Sequence, residues 1–175
     1  MSNLRLINET EVTSSVSSVD ITDVFSADFD IYKITADNII QASGSSVSSL
    51  NLKFINSSGS IISTDYDYAY LQLRSDASFV EVKSTSGTNL DQALGQVDDN
   101  LISNGAVLYI FNPFNSSSYT FITNQASGSS GSSKRFLKGI GVLHQTNSIT
   151  GINISVSSSN ITEGKIRIFG LRVDS

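Results

Sequence analysis

Short runs of alternating apolar and polar residues, each closed by a cluster of Ser, Gly, Asn or Asp, recur along this chain every ~8–12 residues. That spacing is the tightest constraint on its fold. Leu50, Leu52 and Phe54 alternate with Asn51 and Lys53, then stop at Asn56-Ser57-Ser58-Gly59-Ser60, after which Ile61-Ile62 begins a return. Phe79, Glu81 and Lys83 alternate with Val80 and Val82. A period of two is the mark of a strand with one face in a core. Ala106 to Phe111 is apolar throughout and ends at Asn112-Pro113, as a fully buried strand would. Tyr119 to Thr123 is a further strand, and Phe136 to Leu143 another, with Gly139 and Gly141 marking a bend or a close backbone approach.

The C-terminal stretch shows the pattern most fully. Ile152, Ile154 and Val156 alternate with Asn153 and Ser155, Ser157 to Gly164 supplies turn residues, and Ile166 and Ile168 resume the alternation. The apolar face then passes to Phe169, Leu171 and Val173, which predicts a β-bulge near Gly170. The two runs read as a closing hairpin. Summed along the chain, roughly eight to ten short strands predict an all-β fold, a single-domain antiparallel β-sandwich of jelly-roll-like kind spanning 1–175. Leu4 to Ile7 reads as a short first strand. Val12 and Val16 are too sparse to define a second one, leaving a short N-terminal arm within 1–18.

Three segments stand outside the alternation. Ala42 to Ser49 and Ser127 to Ser133 have the composition of mobile surface loops. Between Asn89 and Asn104, Leu90, Ala93, Leu94, Val97 and Leu101 fall at helical spacing. Gly95 and the pair Asp98-Asp99 oppose a helix there, so a helix and an ordered loop both fit.

Composition excludes much chemistry. There is no cysteine, hence no disulfide, thiolate metal site or Cys nucleophile. Net charge is −5, which disfavours binding to a phosphate backbone, so no nucleic-acid partner is expected. Only 15% of residues are charged, below the usual ~25%, and Ser, Asn and Thr hydrate the surface instead. Met1 to Glu9 holds no apolar signal-peptide core and no ~18-residue apolar run occurs, so neither a cleaved leader nor a membrane span is expected.

His144 is the only histidine, and without an identifiable partner or nucleophile it reads as a polar residue at a strand end. The carboxylates Asp20, Asp23, Asp28 and Asp30, Asp65 and Asp67, and Asp98 and Asp99 cluster locally. Their spacing does not fit an EF-hand loop, and Asp beside strands usually caps turns. No catalytic, cofactor or metal residue is therefore assigned. Tyr66, Tyr68 and Tyr70 stand two apart and are the candidate interface or glycan surface, because aromatic faces stack on sugar rings and fill interface cores. The competing reading has them packed inward with hydroxyls at the edge.

Several phrases taken together resemble one group of proteins. They are Val19-Asp20-Ile21-Thr22-Asp23-Val24-Phe25 with Asp30-Ile31-Tyr32-Lys33-Ile34; Leu52-Lys53-Phe54-Ile55-Asn56; Tyr66-Asp67-Tyr68-Ala69; Tyr109-Ile110-Phe111-Asn112-Pro113; and Ser148-Ile149-Thr150-Gly151-Ile152 leading to Gly164-Lys165-Ile166-Arg167-Ile168-Phe169-Gly170-Leu171. This order is similar to small β-sandwich virion structural proteins of tailed bacteriophages, notably cyanophage-like capsid decoration, head-fibre and tail proteins. The resemblance implies a non-enzymatic virion subunit, made in the host cytoplasm. It would assemble by protein–protein contacts with capsid or tail proteins and as a homo-oligomer. It carries over no enzymatic motif and no cofactor. The alternative it leaves open is a receptor-recognition module binding a host-surface glycan.

Overall fold

The computed structural model describes residues 3–43, 47–76, 79–98, 104–130 and 133–172. Among these residues twelve strands succeed one another: β1 (Leu4–Val12), β2 (Ser18–Ile21), β3 (Ile31–Gln41), β4 (Ser48–Asn56), β5 (Tyr66–Arg74), β6 (Val80–Gly87), β7 (Gln96–Val97), β8 (Gly105–Phe111), β9 (Thr120–Ser130), β10 (Ser133–Leu143), β11 (Ile149–Val156) and β12 (Ile161–Leu171). They form an eight-stranded sheet, ordered β1-β12-β3-β8-β9-β10-β5-β6, and a four-stranded sheet, ordered β2-β11-β4-β7. Every pairing is antiparallel.

The pairs β1–β12, β2–β11, β3–β8 and β4–β7 are nested one inside the next. That nesting, with the pairs alternating between sheets, is the wrapped hairpin of a jelly roll. Two further hairpins, β5–β6 and β9–β10, are inserted between β4 and β7 and between β8 and β11, and both join the large sheet. The large sheet therefore overhangs the small one. The inner face of the overhang needs a cover, and the segment from Leu90 to Val97 supplies it.

That segment is not helical. Gln92 and Gly95 both have positive φ (56° and 90°), which breaks a helix before it can propagate. It runs instead beside β4. Leu90 and Leu52 exchange backbone hydrogen bonds at 2.9 and 3.2 Å, and the Asn124 side-chain amide donates to the Ala93 carbonyl at 2.8 Å. Leu90, Ala93 and Leu94 are buried as the helical spacing implied, but by lying between sheets. Leu101 and Asp99 lie outside the described residues.

Four more expectations change. Ile149–Val156 and Ile161–Leu171 are not a hairpin, for β11 belongs to the small sheet and β12 to the large one. No phase slip occurs at Gly170: Ile166, Ile168 and Gly170 all face inward, while Phe169 and Leu171 lie on the outer face beside Leu6 and Leu4. An added Cβ at Gly170 would sit 2.6 Å from the Phe29 ring, so the glycine serves that ring and not a bulge. The register shift lies in β1, between Leu6 and Asn8, and others lie in the β12–β3 pairing near Gly164. Val173 is outside the described residues. Leu4–Val12, within the expected arm, is a full edge strand paired with β12. Likewise Ser127 to Ser130 continue β9, with Ser130 opposite Ser133, in place of a loop.

The core lies between the sheets. Tyr32, Ile34, Leu108, Ile110, Ile166 and Ile168 from the large sheet face Leu50, Leu52, Phe54, Ile152 and Ile154 from the small one. The strands of the large sheet between its two edges thereby spend alternate residues on the core. The other set is left on the outer face.

Candidate functional site: the outer face of the large sheet

The tyrosines single out β5, but on its inner side. Tyr66 is fully buried and Tyr70 is 2% exposed, so neither can offer a ring to a ligand in the folded chain. Tyr68 is half-buried and its ring stacks on that of Tyr70, with centroids 5.0 Å apart. Tyr66 and Tyr70 follow the inward reading except that their hydroxyls are buried and not at the edge, and the outer residues of β5 are Asp67, Ala69 and Leu71. Tyr66 acts as a bracket between the sheets. Its hydroxyl accepts a hydrogen bond from the Phe54 N–H at 2.8 Å and donates to the Ile62 carbonyl at 3.1 Å. Burial pushes the phenols of Tyr66 and Tyr70 well above their ordinary range, so both stay neutral. Tyr66→Phe should cost about 1–3 kcal/mol, because two buried backbone groups lose their partner. Tyr70 places its hydroxyl in the interior with no partner among the described residues, so Tyr70→Phe should be neutral or mildly stabilising. Urea midpoints of the two variants measure the contrast; equal losses would contradict it.

His144 is exposed at the end of β10. Its Nδ1 lies 3.8 Å from Asp67 Oδ2 and its ring meets Tyr119 edge-on at 4.6 Å. Among the described residues no hydroxyl hydrogen-bonds its ring, so no Ser–His pair is assembled there. The carboxylates disperse: Asp20 accepts from Asn153 at 2.6 Å, and Asp65 accepts from Thr64 and Gln145. Those hydrogen bonds hold the Asp65 carboxyl below its usual range. Among the described residues no three His, Asp or Glu side chains come together as a metal cage would need. Asp99 lies outside the described residues.

What the pairing register does assemble is the outer face. Read across the strands, Leu4, Leu171, Ile31, Phe111, Phe121 and Val142 are successive partners, an apolar row crossing six strands. Phe121 is 51% exposed. The next row runs Leu6, Phe169, Lys33, Tyr109, Thr123 and Ile140, of which Leu6 is 50% and Ile140 60% exposed. A depression of about 350 Å³ lies at the β5–β10 end, walled by Phe111, Phe121, Ile140 and Val142. Beside it a groove of about 650 Å³ runs over β3, β8, β9 and β10, lined by Lys33, Tyr109, Thr123, Gln125 and Lys138.

The edges of the same sheet are charged. On β6, Lys83 pairs with Glu81 at 2.9 Å. At the other edge Arg167 of β12 bonds Glu9 of β1 at 2.6 Å and Asp37 of β3 at 3.1 Å, and Lys165 pairs with Glu11. Charge on an edge strand discourages strand addition. The face, by contrast, carries the apolar row. No sequence signal predicted this, because the residues come from six strands and are brought together only by register.

No protein-family model matches the chain, and no curated protein sequence is detectably similar. Among solved structures it is similar to the marine PL-14 alginate lyase from Aplysia kurodai, at 8% identity over 86% of this chain and 72% of that one, with a TM-score of 0.36. The alginate lyase Aly36B aligns at 12% identity over 95% of this chain and 82% of the other, TM-score 0.34. The CBM2 module of the evolved Dit of Lactobacillus casei BL23 phage J-1 aligns at 12% identity over 90% and 70%, TM-score 0.29. Values this low carry no function from those proteins to this chain.

Proposed function

We propose that this chain is a non-enzymatic structural subunit of a tailed-phage particle, assembling with capsid or tail neighbours and with its own copies through the outer face of the large sheet. The apolar row from Leu4 to Val142 is the observation that carries the reading. A contiguous apolar strip with exposed Phe121 and Ile140 at one end is costly to leave in water and is the kind of surface interfaces bury. The virion setting comes from the resemblance of the sequence phrases. The physical contribution is the choice of surface: face rather than edge.

Sedimentation velocity tests it. The wild-type chain should form a closed symmetric oligomer or co-sediment with phage capsids or tails. Phe121→Asp and Ile140→Asp should each weaken that association at least about tenfold, near 1.4 kcal/mol. Ile61→Asp, at an exposed apolar site in the turn after β4, should not. A wild-type monomer indifferent to capsids and tails would sink the proposal.

A further inference from the structure

We propose that the groove over β3, β8, β9 and β10 binds an anionic glycan, a sugar chain bearing carboxylates or sulfates. The groove adjoins the apolar row on the same face, with Ile140 at their border, and the proposal does not rest on the assembly reading.

Lys33, Tyr109 and Thr123 face one another across three adjacent strands, and Gln125 and Lys138 face one another in the neighbouring row. Among the described residues none of these five side chains makes a hydrogen bond or ion pair within the protein, and no carboxylate lines the groove. Lys83, Lys165 and Arg167 on this face are each paired with a carboxylate, and Lys134 donates to the Ser129 hydroxyl. In a chain of net charge −5, two unpaired ammonium groups beside one groove are a local reversal of sign. They complement an anion.

Geometry narrows the ligand. Lys33 on β3 and Lys138 on β10 are three strand spacings apart, roughly 14 Å, and side chains stand nearly perpendicular to a sheet. A single small anion does not span that separation, whereas an extended ligand touches both lysines. Between them the groove offers the Tyr109 ring, against which the C–H face of a sugar packs, and the Thr123 hydroxyl and Gln125 amide, which match sugar hydroxyls. An acidic peptide fits less well. The backbone beneath is already paired strand to strand, so a peptide would gain no main-chain hydrogen bonds. Two lysines also neutralise too little charge for a nucleic-acid backbone.

Isothermal titration calorimetry of the full chain decides the matter, with four probes: oligogalacturonate, a sulfated galactan oligosaccharide, a neutral cello-oligosaccharide and polyglutamate. At least one anionic sugar should bind at least tenfold more tightly than the neutral sugar and polyglutamate, with affinity falling as NaCl is raised. Comparing the two anionic sugars tells carboxylate from sulfate. The double variant Lys33→Gln/Lys138→Gln should lose that binding at least tenfold, and Tyr109→Ala should lose it as well. Lys83→Gln, an ion-paired lysine at the edge of the same sheet, should bind as the wild type does. No binding by either anionic sugar, equal binding of neutral sugar or polyglutamate, or an unchanged affinity in the double variant would each overturn the proposal.

Discussion

Gly139→Ala is expected to destabilise the fold by about 3 kcal/mol, the upper end of what one added methyl costs in a tight core. Gly139 lies opposite Tyr70 in the β10–β5 pairing. A Cβ built there would collide with Tyr70 Cδ1 and the Ala69 carbonyl oxygen and lie 2.8 Å from Tyr70 Cα. Two of these three atoms are backbone of the neighbouring strand, hydrogen-bonded in register, and cannot turn aside. The third belongs to a ring that is buried and stacked on Tyr68. The glycine is thus the space into which Tyr70 folds, which is why an overhanging hairpin can hold an aromatic ring on its inner side. Gly59→Ala makes the comparison: nothing lies within 4 Å of a Cβ there, and only its positive φ of 79° opposes the change. That backbone penalty is about 1 kcal/mol. Urea denaturation should show the Gly139 midpoint shifted far more than the Gly59 one, and a Gly139 loss below that of Gly59 would refute the packing described.

Phe54→Ala should cost about 3–5 kcal/mol, the range for removing a buried aromatic ring without collapse of the site. Phe54 is fully buried at the centre of the small sheet, opposite Ile152 of β11, and its ring stacks on Tyr66 with centroids 6.2 Å apart. The same residue donates its N–H to the Tyr66 hydroxyl, so ring and backbone both tie the small sheet to β5. Removing the ring opens a void at a place where a hydrogen bond also crosses between the sheets. The losses of Phe54→Ala and Tyr66→Phe should therefore fail to add in the double variant. Phe79→Ala, at a residue 67% exposed, should stay within about 0.5 kcal/mol of wild type. Losses of similar size at Phe54 and Phe79 would contradict the assignment of the core.

Much of the fold is legible in the residues, and the limits have a physical origin. Alternation identifies a strand because burial of one face is a local property. Leu50, Leu52 and Phe54 announce β4, and Ala106 to Phe111 announce β8. Partnership is not local. In a jelly roll, consecutive strands belong to different sheets, so the runs ending in Val156 and Leu171 look like a hairpin and are not one. Periodicity misleads where burial comes from an irregular segment, as at Leu90, Ala93 and Leu94, whose helical spacing is met by two left-handed turns. The spacing of the tyrosine triplet shows that the three share one face, but alternation cannot say which face is inner. That needs the sheet. The groove residues Lys33, Tyr109, Thr123, Gln125 and Lys138 are dull one by one, and only the register of four strands brings them to one groove.

The role assigned to the outer face is tested most directly by hydroxyl-radical footprinting of the assembled protein against its dissociated form. Phe111, Phe121, Ile140 and Val142 should lose reactivity on assembly, while Ile61 and Phe79 remain as reactive as before. Protection confined to the charged edges at β1 and β6, with Phe121 and Ile140 unchanged, would contradict the account.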